Sequence, residues 1–131
     1  MKDNDAFSFE KLEAWQLSRS YCKKVYLLLG KFPAEERYGL CDQLRRSVIS
    51  VPSNIAEGCG RISLKEKVHF IEIAFGSLME SYCQLQLACD LDYITPEELD
   101  SARADVNSLV KMLKNLRRSY QKTLDSSAQP T

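Results

Sequence analysis

The sequence predicts an all-α protein, an up-down-up-down antiparallel four-helix bundle with a proline-bent second helix, and three observations carry that prediction. Apolar residues recur at spacings of three and four through four long stretches, the period of an amphipathic helix rather than the alternation of a strand. Short stops rich in glycine, proline, serine and threonine separate these stretches, so sequential helices are expected to fold back on one another. With five glycines and four prolines in 131 residues, and no alternating segment of useful length, nothing in the chain supports a sheet. The length suits one domain with a real core, placed at residues 9–122 between a flexible amino terminus (1–8) and a disordered tail (123–131).

Ser8 is the predicted cap of a first helix that runs to Leu29, with Leu12, Trp15, Cys22, Val25 and Leu29 on its inner face. Gly30 and Pro33 end it, because glycine accepts the left-handed conformation past a helix and proline cannot continue one. The second helix holds the most informative stretch, GLCDQLRRSVISVPSNIAEGCGR from Gly39 to Arg61. At 100° per residue Leu40, Leu44, Val48, Val51, Ile55 and Cys59 share one side, and Cys41, Ile49 and Ala56 widen it. Pro52 removes a backbone donor and presses on the Val48 carbonyl, a disruption of ~3 kcal/mol unless the helix bends. Apolar positions keep phase across it, so one bent helix is expected rather than two.

On the other side of that helix Gln43, Ser47, Ser50, Asn54 and Glu57 recur every three or four residues, and serine and asparagine are weak helix formers. Two explanations stand. The serines satisfy backbone groups freed by the bend, or the stripe, with Arg46 beside it, contacts a sister subunit or another protein. Arg46 has Glu57 and Glu80 as candidate partners within the subunit or across an interface.

Gly58 and Gly60 close the second helix, and Ser63 with Glu66 forms the capping box that opens a third. Leu64, Val68, Ile71, Phe75, Leu78, Tyr82, Leu85 and Cys89 make its seam. Phe70, Ala74 and Ala88 extend the apolar surface on one flank, while Ile73, Leu87 and Leu91 sit roughly opposite the seam with Gly76 alongside. Three partner helices cannot cover a helix that is oily nearly all round, so Ile73, Gly76, Leu87 and Leu91 are the candidate oligomer interface. Thr95-Pro96-Glu97-Glu98 supplies a cap, a proline at the first helical position and a capping carboxylate for the fourth helix. Its inner face is Leu99, Ala102, Val106, Leu109, Leu113, Leu116 and Tyr120.

Several function classes find no support. Eighteen basic and eighteen acidic side chains cancel, so any nucleic-acid preference must be local. An odd set of five cysteines at helix-interior positions, Cys22, Cys41, Cys59, Cys83 and Cys89, reads as reduced, buried thiols rather than a disulfide framework. There is no apolar leader and no run near the ~20 apolar residues a membrane span needs, so a cytoplasmic protein without membrane contact is expected. Glu66 and His69 form an E-x-x-H pair of the kind that di-metal bundles aim inward, yet the seam through Val68 and Ile71 turns both away. His69 is the only histidine, no carboxylate supports it at a motif spacing, and Gly58-Cys59-Gly60 is a helix stop rather than a phosphate loop. The reading is no enzyme, no metal, no cofactor and no small-molecule substrate. The one local charge excess is Lys111, Lys114, Arg117, Arg118 and Lys122, with no acid between Val106 and Leu124. These cations complement the helix dipole or serve as phosphate contacts.

Phe9 to Trp15 (F-x-K-L-x-x-W), Phe32-Pro33, Gly39 to Ser47 (G-L-x-x-Q-L-R-R-S) and Ser50 to Gly58 (S-V-P-S-N-I-A-E-G), then Ile73-Ala74, Gly76-Ser77 and Glu80, carry a resemblance. Nearly end to end the chain resembles the bacterial four-helix-bundle proteins named after reading frames in intervening sequences of large-subunit ribosomal RNA. That resemblance implies a ring-like homopentamer. It also implies kinship with the accessory variability proteins of diversity-generating retroelements, which partner a reverse transcriptase and its RNA and, unlike this chain, are markedly basic. The expected function is a homo-oligomeric helical interaction module, read either as an accessory protein to RNA or a ribonucleoprotein, or as a protein scaffold without nucleic acid or catalysis.

Overall fold

The structure is a computed structural model that describes residues 6–128, and every regular element among them is helical. A 3-10 turn at Ser8–Lys11 precedes helix α1, Glu13–Leu29; α2 spans Leu40–Gly60, α3 Leu64–Asp90 and α4 Pro96–Ala128. A further 3-10 turn, Ala34–Glu36, lies between α1 and α2.

Each helix packs on its sequence neighbours, and α1 closes the set against α4. Partner numbers fall along one helix as they rise along the next. Ser47, Ser50 and Cys59 of α2 meet Gln84, Ser77 and Lys67 of α3. Lys67, Glu72 and Phe75 in turn meet Tyr120, Arg117 and Lys114 of α4, and Lys24 of α1 and Lys31 after it meet Asp105 and Glu98. Lys31 lies in the turn just past the end of α1, and the three neighbour pairs are therefore antiparallel. At the centre Val25, Leu44, Val48, Val51, Ile55, Leu78, Leu85 and Leu109 are fully covered, each contributing about 1.5 to 3 kcal/mol of apolar burial.

The first helix starts later than expected. Ser8 lies inside the 3-10 turn, and Leu12, extended at φ −74° and ψ 126°, separates that turn from α1. The Glu10 carboxylate accepts the Phe7 N–H at 3.0 Å and Gln16 Nε2 donates to the Glu10 carbonyl at 2.9 Å, which ties the turn off locally. Phe9 then stands edge-on to Trp15 at 5.0 Å. Drawn to that contact, Trp15 is only half-buried, and the inner face of α1 is Ala14, Ser18, Tyr21, Val25 and Leu28.

Helix α2 is continuous through Pro52, with Ser50 to Ser53 helical and no extended linker. Ile49, expected on its apolar side, is exposed. In α3 the buried line is Ala74, Leu78, Ser81, Leu85 and Ala88, while Phe75, Tyr82 and Cys89 of the expected seam are half-buried flanks. Helix α2 lies close along this line: Ser50 and Ser47 bond to Ser77 and Gln84 at 2.8 and 2.7 Å, and a Cβ on Gly58 would stand 3.0 Å from Phe70 Cβ and 3.3 Å from the Lys67 carbonyl.

The caps form where the motifs place them. Ser63 Oγ accepts the Glu66 N–H at 3.3 Å, and Thr95 and Glu98 exchange both bonds of a capping box at 2.9 and 3.1 Å. Helix α3 ends in a Schellman arrangement: Asp92 takes φ 63°, its N–H reaches the Cys89 carbonyl at 3.0 Å, and the Tyr93 N–H reaches Ala88 at 2.9 Å. The expected tail from residue 123 is instead helical to Ala128. Thr123 Oγ1 donates to the Ser119 carbonyl and Ser127 Oγ to the Leu124 carbonyl, and Gln121 Nε2 donates to Asp125, a side-chain pair one turn apart of the kind that supports a helix without apolar bulk. Residues 1–5 and 129–131, which hold most of the expected flexible terminus and the end of the expected tail, lie outside the described residues.

Candidate functional site

The polar stripe of α2 is divided between the interior and the surface. Ser47 is buried, its hydroxyl 2.7 Å from Gln84 Oε1 and 3.2 Å from the Leu44 carbonyl. Ser50 Oγ accepts from Ser77 Oγ and from Asn54 Nδ2, both at 2.8 Å, and the same amide donates to the Ser50 carbonyl. The middle of the stripe is thus the α2–α3 contact itself, not an outward docking face. Gln43, Arg46 and Glu57 remain on the surface. Arg46 pairs with Asp42 one turn back, not with Glu57 or Glu80, and Glu57 pairs with Arg61 at 2.7 Å.

Ser18, Tyr21, Ser81 and Gln84, polar side chains deep in the bundle, are not foreshadowed by the apolar patterning of the sequence. Tyr21 Oη and Ser81 Oγ are 2.8 Å apart, joining α1 to α3 across the core. Gln84, with Ser47 on its oxygen, donates through Nε2 to Glu80 Oε1 at 3.3 Å. Every buried side-chain polar atom among the described residues has a partner. Burial pushes the Tyr21 hydroxyl up to about 12, the Ser81 bond only partly opposing it. A signal was present: Ser77, Ser81 and Gln84 repeat at helical spacing beside the α3 seam, and residues of that kind on a covered face need partners.

The outward face of α3 is apolar and open. Ile73, Leu87 and Leu91 are 37%, 48% and 53% exposed, and a Cβ on Gly76 would meet nothing within 4 Å. Glu80 and Cys83 stand exposed on the same side. Cys83 therefore departs from the expectation of five buried thiols. Cys41 is buried, Cys22, Cys59 and Cys89 are half-buried, and all five are free.

The α4 cations are all exposed, but they do not act as one set. Arg117 turns toward α3 and holds Glu72 at 2.9 Å. Lys114 reaches over the Phe75 ring, 5.9 Å from its centroid, beside a shallow groove that Ile71 and Leu113 floor. Lys111, Lys114, Arg118 and Lys122, at spacings of three and four, form a stripe opposite the buried Leu109 and Leu113. Glu66 and His69 are both exposed, and no group of three His, Cys, Asp or Glu residues among those described is arranged to hold a metal. No described helix is long and apolar enough to cross a membrane.

No curated protein matches this sequence. A crystal structure of a protein of unknown function from Bacteroides thetaiotaomicron, assigned to the S23 ribosomal protein family, superimposes with a TM-score of 0.73. It is 23% identical and covers 79% of this chain and 97% of its own, a likeness of fold. Residues 10–115 match the family described as 23S rRNA-intervening sequence protein. That match takes in α1, α2, α3 and the greater part of α4, so the chain belongs to the 23S rRNA-intervening sequence protein family.

Proposed function

We propose that this protein is a homo-oligomeric helical interaction module without catalytic activity. The observation that carries the reading is the open face of α3, where Ile73, Leu87 and Leu91 flank a bare backbone at Gly76. A monomer leaves such a face wet; a second copy covers it, each large apolar side chain contributing about 1.5 to 3 kcal/mol when buried. Family resemblance makes five subunits the number to test first. Light scattering at micromolar concentration should report a closed oligomer, and Leu87→Glu should reduce it to single chains of 15.0 kDa while circular dichroism still shows helix. A wild-type mass of one chain at high concentration would end the proposal.

A second reading is favoured by the α4 stripe of exposed cations with no acid from Val106 to Leu124. On it the oligomer is an accessory to RNA or a ribonucleoprotein and holds phosphate through Lys111, Lys114, Arg118 and Lys122, with Arg117 added only if it leaves Glu72. Filter binding with structured RNA at two salt concentrations tests this, because phosphate contacts weaken steeply with salt. No retention at low salt leaves the protein-scaffold reading alone.

A further inference from the structure

We propose that the copies associate heterologously, the outward face of α3 on one subunit seating against the cationic stripe of α4 on the next, with Glu80 as the residue that decides which surfaces meet. This deepens the oligomer reading above and rests on it. Glu80 stands exposed beside the apolar surface formed by Ile73, Leu87 and Leu91. Its carboxylate is held by Gln84, which Ser47 holds in turn, and among the described residues it has no cation partner in its own chain. Once covered by a partner, that carboxylate requires an opposite charge, since an unpaired buried charge is strongly unfavourable.

Two α3 faces cannot supply one another. From Val68 to Ala102 the chain holds no lysine or arginine, so a twofold contact of α3 on α3 would bring carboxylates together and leave them unpaired. From Val106 to Leu124 the chain holds no acid, and Lys111, Lys114 and Arg118 are exposed on one side of α4 and make no ion pair among the described residues. The acidic, apolar surface and the basic one belong to different helices and face different directions, the arrangement a head-to-tail contact needs. Contacts of that kind close into rings when the rotation between subunits permits.

Charge reversal tests the pairing. In light scattering, Glu80→Lys and the pair Lys111→Glu with Arg118→Glu should each lower the mass from the closed oligomer toward 15.0 kDa, with helix retained by circular dichroism. The variant carrying all three substitutions restores opposite charges across every contact and should restore the oligomer. If the single-surface variants keep the wild-type mass, or the combined variant stays dissociated while folded, the pairing is wrong although the protein still assembles. A wild-type chain that is itself monomeric removes the oligomer reading and this one with it. Loss of RNA retention in Lys111→Glu/Arg118→Glu at unchanged mass would assign the stripe to phosphate and overturn the proposal.

Discussion

Gly58 and Gly76 sit in adjacent helices and respond oppositely to a methyl group. In an open helix alanine is favoured over glycine by roughly 0.5–1 kcal/mol. At Gly76, with nothing within 4 Å among the described residues, Gly76→Ala should raise the unfolding free energy of the dissociated chain by that margin. At Gly58 the new Cβ would stand 3.0 Å from Phe70 Cβ, and Gly58→Ala should instead cost about 1 to 3 kcal/mol, the usual penalty of overpacking. Urea titration of both variants on a dissociated background checks the difference in sign. Tyr21 gives a pH-dependent prediction. Its hydroxyl is pushed up to about 12 in the folded chain by burial, against about 10 in an unfolded one. Stability from keeping it neutral is complete below pH 10 and is lost as pH rises toward 12, roughly 2–3 kcal/mol in all. Tyr21→Phe should therefore flatten the alkaline limb of the stability profile while losing about 1 kcal/mol at neutral pH through the Ser81 bond. An unchanged alkaline limb would show that Tyr21 ionises freely.

At the scale of helices, what local chemistry determines was legible and what neighbours determine was not. The caps at Ser63 and Thr95 follow from motifs four residues long, and both form. Thr95 has the stronger version, since Glu98 completes the box and also accepts from Lys31 in the turn after α1. That lysine, then the Thr95 N–H, holds the Glu98 carboxyl below its ordinary range. Stability from this lowered value is present above the unfolded carboxylate pKa and is lost as pH falls through the folded one. Lys31→Met should weaken the acid-side dependence of the melting temperature, and Thr95→Ala should cost about 1 kcal/mol; equal acid profiles for Lys31→Met and wild type would refute the first. Which line of α3 faces inward, by contrast, is decided by how closely α2 lies along it, through Ser47, Ser50 and Gly58, a tertiary fact invisible in periodicity. The same closeness moved Ser47 and Ser50 from an expected docking stripe into the core contact. Helix α4 passed its expected end without apolar spacing to carry it, and the Gln121–Asp125 pair one turn apart supports its last turns.

For the whole molecule, family and helical class were readable because the S-V-P-S-N-I-A-E-G string is specific; its Ser50, held by Asn54, and its closing Gly58 now have a packing role between α2 and α3. The exposed α3 face was readable because Ile73, Leu87 and Leu91 violate the polarity an outward arc normally has. Cys83 on that face provides a native chemical report on assembly: its alkylation should be fast in Leu87→Glu and slow in wild type, and equal rates would place the interface elsewhere. The close fit of α2 on α3 also bears on the order of folding. These two helices share the largest contact in the molecule and only residues 61–63 separate them, so their meeting closes a very short loop. The α2–α3 hairpin should be the nucleus, assembled before α1 and α4 dock. Ser47→Ala and Ala74→Gly should slow refolding, whereas Val25→Ala in α1 and Leu109→Ala in α4 should chiefly hasten unfolding.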